Sequence, residues 1–321
     1  MATARTGARA VLVASGPWDP HPWADGIRRL DPDRPVHVWP DLPDPDAIGY
    51  VLAWHPPPEA FANLPNLAAI FSLGAGVEHI LSRPGLPDVP LARIVSEDLT
   101  DRMVEWVVLQ VLMHHRQQRG YDRLQRAHRW QELRQPAAAE VRVGVMGMGV
   151  IGAKAADMLA HLGFQVAGWS RSRKTVAGIE AFHGPAGLDA FLARTDILVV
   201  LLPLTPDTRG LLAMPLFRKL ARDGALGGPV LVNAGRGGLQ VEADIAAAIG
   251  DGTLTGASLD VFETEPLDAA SPLWDLEDVI ITPHCAGWSD PAELTRQIVE
   301  QIAAFEAGRP LRNLVDRDAQ Y

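Results

Sequence analysis

Gly147-Met148-Gly149-Val150-Ile151-Gly152 follows directly on an apolar run, residues 141–146, and leads directly into an alanine-rich stretch. No other segment narrows the choice of folds as far. A glycine pattern in a loop is commonplace, but the same pattern at a strand-to-helix turn is the fingerprint of a dinucleotide-binding βαβ unit. The first glycine permits the tight turn, the second lets the backbone approach a pyrophosphate, and the third lets helix and strand touch. Val150 and Ile151 then open a helix whose unpaired N–H groups and positive dipole end favour phosphate.

The flanking pattern extends this unit into a domain. Residues 141–146, 165–169, 197–202, 230–233, 257–261 and 279–282 are apolar strand candidates, and most intervals between them are helical, notably 153–162, 215–220 and 242–249. Such alternation predicts a doubly wound parallel sheet covered on both faces. Upstream, residues 10–14, 36–39, 50–54 and 68–73 look like strands separated by loops crowded with Pro and Asp. Residues 97–128 have helical periodicity, with Val104, Val107, Val108, Val111 and Leu112 on one stripe. That stripe suits either a dimer interface or the protein's own core. A closing helix, 291–307, is expected to return to the first domain.

At roughly 150 residues per domain, 321 residues make about two domains. The expected fold is therefore α/β, with two Rossmann-like domains, one flavodoxin-like and one Rossmann, and a cleft between them. Residues 1–98 plus 290–321 form a discontinuous substrate-binding domain, and residues 99–289 form an NADP-binding domain.

Composition excludes several classes of function. With 29 basic against 39 acidic residues the net charge is −10, which opposes binding to a phosphate backbone, so no nucleic acid partner is expected. The single cysteine, Cys285, allows no intrachain disulfide and fits a reducing cytoplasm. Arg5 and Arg9 precede an apolar run, 11–14, too short for a signal-peptide core, and no stretch reaches the ~20 apolar residues of a membrane span. The expectation is a soluble, cytoplasmic protein without membrane contact. His114 and His115 are consecutive on a helix and point apart, so no metal site is expected. An isolated cysteine such as Cys285 is expected to be buried packing rather than a nucleophile.

About 20 residues past the glycine motif, an NAD-specific site places Asp or Glu to bond the ribose 2′-hydroxyl. This chain has Ser170 there, followed by Arg171, Ser172, Arg173 and Lys174. The carboxylate that repels a 2′-phosphate is missing and cations that bind one are present. NADP(H) is the expected cofactor, with NAD(H) admitted.

Several segments are recognisable together: Trp54-His55-Pro56-Pro57, Leu73-Gly74-Ala75-Gly76-Val77, Trp169-Ser170-Arg171, Leu202-Pro203-Leu204-Thr205-Pro206-Asp207-Thr208, Asn233-Ala234-Gly235-Arg236-Gly237, Leu259-Asp260-Val261-Phe262 with Glu265-Pro266-Leu267, and Thr282-Pro283-His284. In these the chain resembles the D-isomer-specific 2-hydroxyacid dehydrogenase family over nearly its whole length. The resemblance implies that Arg236, Glu265 and His284 are catalytic. It adds Leu202, Pro203, Thr208, Ala234 and Asp260 to the nucleotide contacts, Asp260 near the nicotinamide. It also implies that Trp54 and the loop Gly74, Ala75 and Gly76 meet the substrate, and that the protein is a homodimer. Trp288, four residues after His284, stands where the family usually has a smaller side chain, and it is expected to narrow the substrate chamber.

The chemistry asks for these residue types independently. Reducing a 2-oxoacid such as glyoxylate or hydroxypyruvate needs a hydride at the carbonyl carbon and a proton at its oxygen. His284 is the side chain that titrates near neutrality and delivers such a proton. Glu265 beside it favours the charged imidazole and orients the ring. Arg236 offers a permanently charged fork to the carboxylate or carbonyl. All three follow strand ends, where ligands bind in parallel sheets. Two rivals share the motifs. One is another family member, acting on a bulkier oxoacid, on phosphoglycerate (no room for the usual appended domain is expected after Tyr321) or on formate (which typically has Gln at the Glu265 position). The other is a nucleotide-sensing binding protein without turnover.

Overall fold

A computed structural model describes residues 9–288 and 290–318. Arg5 and Ser289, the latter the expected end of the nucleotide domain, lie outside the described residues. The chain divides into two compact units, Met1–Asp98 with Ser289–Tyr321, and Leu99–Trp288.

The first unit runs β1 (Ala10–Ala14), α1 (His21–Leu30), β2 (Val36–Val38), β3 (Ile48–Ala53), β4 (Ala69–Ser72), α2 (Glu78–Leu81) and β5 (Leu91–Ala92). Its sheet has the order β2-β1-β3-β4-β5 with every pair parallel, the flavodoxin-like arrangement. Every residue of β1 and β3 is buried, as a parallel strand covered on both faces requires. Helix α1 replaces what the sequence suggested was a loop. Pro22 falls within the first two helical positions, where its missing N–H costs nothing, so the proline that looks like a breaker is a starter. Trp23, Ala24 and Ile27 then face the core.

In the second unit come α3 (Glu97–His115), α4 (Gln118–Arg126), β6 (Arg142–Met146), α5 (Val150–His161), β7 (Gln165–Ser170), β8 (Glu180–His183), α6 (Gly184–Ala193), β9 (Ile197–Val200), α7 (Met214–Phe217), β10 (Val230–Asn233), α8 (Glu242–Gly250), β11 (Gly256–Leu259) and β12 (Val279–Ile281). The order β12-β11-β10-β9-β6-β7-β8 is parallel throughout, a Rossmann sheet with one additional strand. The strand order reverses between β6 and β9, so the glycine motif after β6 opens at the switch point where such sheets bind ligands.

Three sequence expectations change. The single helix over 97–128 is two helices, broken at Gln117, whose φ of 54° lies in the left-handed region. Helix α4 buries none of its residues; Arg119 instead donates to the Glu277 carbonyl and Arg123 pairs with Asp278 at 2.7 Å. The stripe of α3 packs inward: Val104, Val107 and Val111 join Val143, Val145, Ile197 and Val199 in one core, so it covers the unit's own sheet. Finally, β8 and α6 were not foreseen. Glu180 and His183 are exposed on an edge strand, which therefore lacks the apolar run that marks the central ones.

The first unit is completed by α9 (Pro291–Glu306), capped by the Asp290 carboxylate accepting from the Ala292 N–H. Leu294, Ile298 and Ile302 pack with Trp23 and Ile27. A Cβ on Gly26 would meet Thr295 Oγ1 at 2.5 Å, which sets how closely α1 and α9 approach. Arg34, its side chain only 1% exposed, forks onto Glu306 with two 3.0 Å bonds and reaches Asp31 at 2.8 Å.

Candidate active site

The three glycines of the motif serve three different ends. Gly147 has φ +113°, and a Cβ there would stand 2.7 Å from the Leu201 carbonyl oxygen. A Cβ on Gly152 would stand 1.9 Å from the Gly147 oxygen, so α5 sits directly on the turn. At Gly149 a Cβ would meet nothing within 4 Å. Packing does not require glycine there; open space beside the N-cap of α5 suits a phosphate, and Val150, 59% exposed, stands at the same helix start. Ile151 is half-buried one residue on. The residues present thus fit a dinucleotide.

Ser170 ends β7, buried, and its hydroxyl donates to the Ser172 carbonyl at 2.7 Å. Arg171, Arg173 and Lys174 follow, all exposed, with no carboxylate among residues 170–174. Leu202 and Ala234 are buried past the ends of β9 and β10, and a Cβ on Gly235 would fall 2.8 Å from the Leu202 oxygen. Thr208 is spent locally: its hydroxyl donates to the Pro203 carbonyl and accepts from the Thr205 N–H, both at 2.8 Å, closing their turn.

Past the carboxyl ends of β12 and β11, His284 and Glu265 meet, Nδ1 to Oε2, at 2.7 Å. Glu265 Oε1 accepts from the Phe262 N–H at 3.0 Å. Burial pushes the Glu265 carboxyl up, but the His284 bond and charge, the Phe262 N–H and the nearby Arg236 outweigh it and hold it below the usual carboxylate range. An ionised carboxylate only accepts, so Nδ1 must carry a proton and Nε2 is left for another partner. His284 itself has φ +50°, a left-handed conformation uncommon for a residue with a side chain; its N–H donates to the Asp260 carbonyl at 2.8 Å.

Asp260, expected from the family resemblance to lie near the nicotinamide, is bound into the loop that carries His284. Only 1% exposed, its carboxylate faces the histidine loop: Oδ1 accepts from the Thr282 hydroxyl at 2.6 Å and the Cys285 N–H at 3.0 Å, and Oδ2 from the Ala286 N–H at 3.0 Å. Burial raises its pKa although these donors and the His284 charge oppose the shift.

Arg236 leaves the end of β10 on a loop held by Asn233, whose amide donates to the Arg236 carbonyl at 3.2 Å and to Gln240 Oε1 at 2.8 Å while accepting from the Gly235 N–H at 3.0 Å. Gln240 in turn donates to the Val261 carbonyl at 2.9 Å. A Cβ on Gly237 would lie 1.7 Å from the Phe262 oxygen, so this loop and the chain leading to Glu265 touch backbone to backbone. Sequence reasoning missed Asn233, Gln240, Gly237 and Thr282 as supports. Polar residues at the ends of apolar runs were the signal available.

Trp54 and the loop Gly74, Ala75 and Gly76 belong to the first unit. Trp54 is buried, stacked on Trp18 at 4.4 Å and edge-on to His79 at 4.2 Å. A Cβ on Gly74 would stand 2.2 Å from Trp54 Cζ3, so this glycine makes room for the ring. The Ser72 hydroxyl lies 2.9 Å from the Gly74 carbonyl oxygen and 3.0 Å from that of Gly76, holding the loop's shape. Trp288, in the second unit, is 59% exposed with the Arg102 guanidinium 5.4 Å over its ring. Cys285 is exposed rather than buried; partial burial and the neighbouring Asp260 raise its thiol's pKa, which keeps it a poor nucleophile. His114 bonds Ser258 at 2.9 Å, and burial lowers its pKa to about 4.

Residues 108–286 match the family model described as D-isomer specific 2-hydroxyacid dehydrogenase, NAD binding domain. A glyoxylate/hydroxypyruvate reductase A from Escherichia fergusonii is 40% identical over 305 residues, covering 93% of this chain and 96% of the relative. An NADPH-dependent glyoxylate/hydroxypyruvate reductase from Sinorhizobium meliloti, solved with NADP and sulfate, superposes with a TM-score of 0.93 at 49% identity over 97% of this chain and all of that one. A probable 2-hydroxyacid dehydrogenase from Rhizobium etli, solved with NADP, HEPES and L(+)-tartaric acid, gives 0.92 at 50% identity over 98% and 100%.

Proposed function

The chain belongs to the D-isomer specific 2-hydroxyacid dehydrogenase family, and from that premise we propose that it reduces small 2-oxoacids, glyoxylate and hydroxypyruvate among them, to 2-hydroxyacids with NADPH. The observation that carries this reading is the 2.7 Å His284–Glu265 pair, with Arg236 charge beside it, at the carboxyl end of the strands that also bears the glycine turn.

The roles divide as follows. The open face at Gly149 and the start of α5 hold the pyrophosphate, and Ser170, Arg171, Arg173 and Lys174 hold the 2′-phosphate. When bound, the reduced nicotinamide supplies the hydride. His284 Nε2 gives its proton to the carbonyl oxygen, while Glu265 accepts the Nδ1–H and fixes the orientation of the ring. Arg236 presents its guanidinium fork to the substrate carboxylate or carbonyl. Trp54 and the Gly74–Gly76 loop are assigned to substrate contact on the family resemblance, which also supports unit Leu99–Trp288 as the nucleotide domain and the other unit as the substrate domain.

The finer assignments of a homodimer and of a cytoplasmic location are part of the same proposal. Among the described residues no helix is long and apolar enough to cross a membrane.

Loss of NADPH absorbance with glyoxylate, hydroxypyruvate and a bulkier oxoacid such as phenylpyruvate, repeated with NADH, tests the reading. The expected result is turnover of the small oxoacids with a clear preference for NADPH. Tight NADPH binding without turnover of any oxoacid would overturn the enzymatic reading, and equal use of NADH would overturn the assignment of the basic turn.

A further inference from the structure

We propose that Trp106 and Thr282 are positioning residues for His284, acting through Asp260 as a one-way hydrogen-bond relay that locks the histidine loop. The proposal rests on the reading of His284 as the proton donor. It starts from a conformational cost: a non-glycine residue at φ +50° is strained, and such a residue persists only where its surroundings over-determine it. Something must hold His284 in that state with its ring on Glu265.

The polarity of the relay is forced by what each group is able to do. The Trp106 indole has one N–H and accepts nothing, and it lies 3.2 Å from Thr282 Oγ1. Thr282 must therefore accept from Trp106. Its single hydroxyl proton is then directed at Asp260 Oδ1, 2.6 Å away. Asp260, with Thr282, Cys285 and Ala286 all donating to its carboxylate, grips the loop on both sides of His284, and its own carbonyl accepts the His284 N–H. No member has a second arrangement that keeps every bond, because the indole cannot accept and the carboxylate cannot donate. Trp106 is 8% exposed on α3, so the relay ties the loop to a helix packed into the core. Trp106 and Thr282 act on His284 by fixing the backbone that carries its ring.

Thr282→Val removes the hydroxyl and leaves both neighbours without their bond, whereas Thr282→Ser restores it. The expected result for Val is a fall in kcat of about tenfold, with oxoacid KM and NADPH Kd within about twofold, the size expected for one lost bond to a charged group. Ser should recover most of the loss. Trp106→Phe should lower kcat less, and in the Thr282→Val background should lower it no further, because the relay is already cut. Should Thr282→Val fail to fold, Trp106→Phe carries the same test by its selective effect on kcat.

A second readout needs no turnover. The downfield proton of His284 Nδ1, shared with Glu265, should be sharp in wild type and Thr282→Ser and broadened by exchange in Thr282→Val. Wild-type kcat and a sharp resonance in Thr282→Val, or losses that multiply in the double variant, would overturn the relay. If wild type turns over no oxoacid, the functional reading fails, while the resonance still decides the relay.

Discussion

Placing alanine at Gly237 puts a methyl carbon 1.7 Å from the Phe262 carbonyl oxygen, where Cβ atoms essentially never come within 3.0 Å. Both sides of the clash are backbone, so no side chain can swing away, and the two loops must part by about 1.3 Å, the difference between those distances. Arg236 is the preceding residue, and Glu265 is tethered to the Phe262 N–H at 3.0 Å, so the movement widens the site between them. A misplacement of about 1 Å in a reacting constellation costs on the order of 100-fold in rate, and overpacking costs about 1–3 kcal/mol of stability. Gly237→Ala is therefore expected to lose about 100-fold in kcat while NADPH Kd changes by less than about threefold, since the glycine turn after β6 is untouched. Steady-state NADPH oxidation and fluorescence titration of NADPH measure the two quantities. A variant that folds and keeps wild-type kcat would refute the claim that this backbone contact sets the spacing of Arg236 and Glu265.

Gly149→Ala should behave in the opposite way. A Cβ there meets nothing, so thermal stability should hold while NADPH Kd rises at least about tenfold from obstruction of the phosphate; unaltered NADPH affinity would count against the cradle. Arg34→Met leaves Glu306 without its buried fork and should cost about 3 kcal/mol, a drop of roughly 10–12 °C in the melting of the first unit by calorimetry. For Glu265, the folded pKa lies below the unfolded value, so its contribution to stability is present above the ordinary carboxylate range and is lost as pH falls through the depressed value. The advantage of wild type over Glu265→Gln in urea midpoint should accordingly shrink below about pH 4, and an advantage unchanged at pH 3 would contradict the sign.

What could be read from residues alone divides along physical lines. Central strands such as β10 declared themselves because both faces are buried and Val230–Asn233 is apolar almost throughout. Edge strand β8 did not, since its Glu180 and His183 meet water. The break at Gln117 escaped notice because nothing local forbids a helix there; long-range contacts of α4 with Glu277 and Asp278 decide it. At the candidate site, Arg236, Glu265 and His284 were picked out by residue type and by following strand ends, and they stand after the carboxyl ends of β10, β11 and β12. Their supports were not visible. Trp106 and Thr282 are 176 residues apart in sequence, and no spacing rule links them. The close approach at Gly237 is likewise a fact of tertiary structure, invisible in a motif where that glycine looks like any flexible one.

The return of α9 to the first unit has a consequence for how the chain is made. Leu294, Ile298 and Ile302 supply part of the core around β1 and α1, and the guanidinium fork of Arg34 closes on Glu306. During synthesis β1 and α1 must wait for α9, made after the whole of Leu99–Trp288, before their core can close, whereas Leu99–Trp288 has all its strands beforehand. The order of completion is then the reverse of the order of birth. Until α9 arrives, a sheet with an uncovered apolar face is the species that chaperones meet.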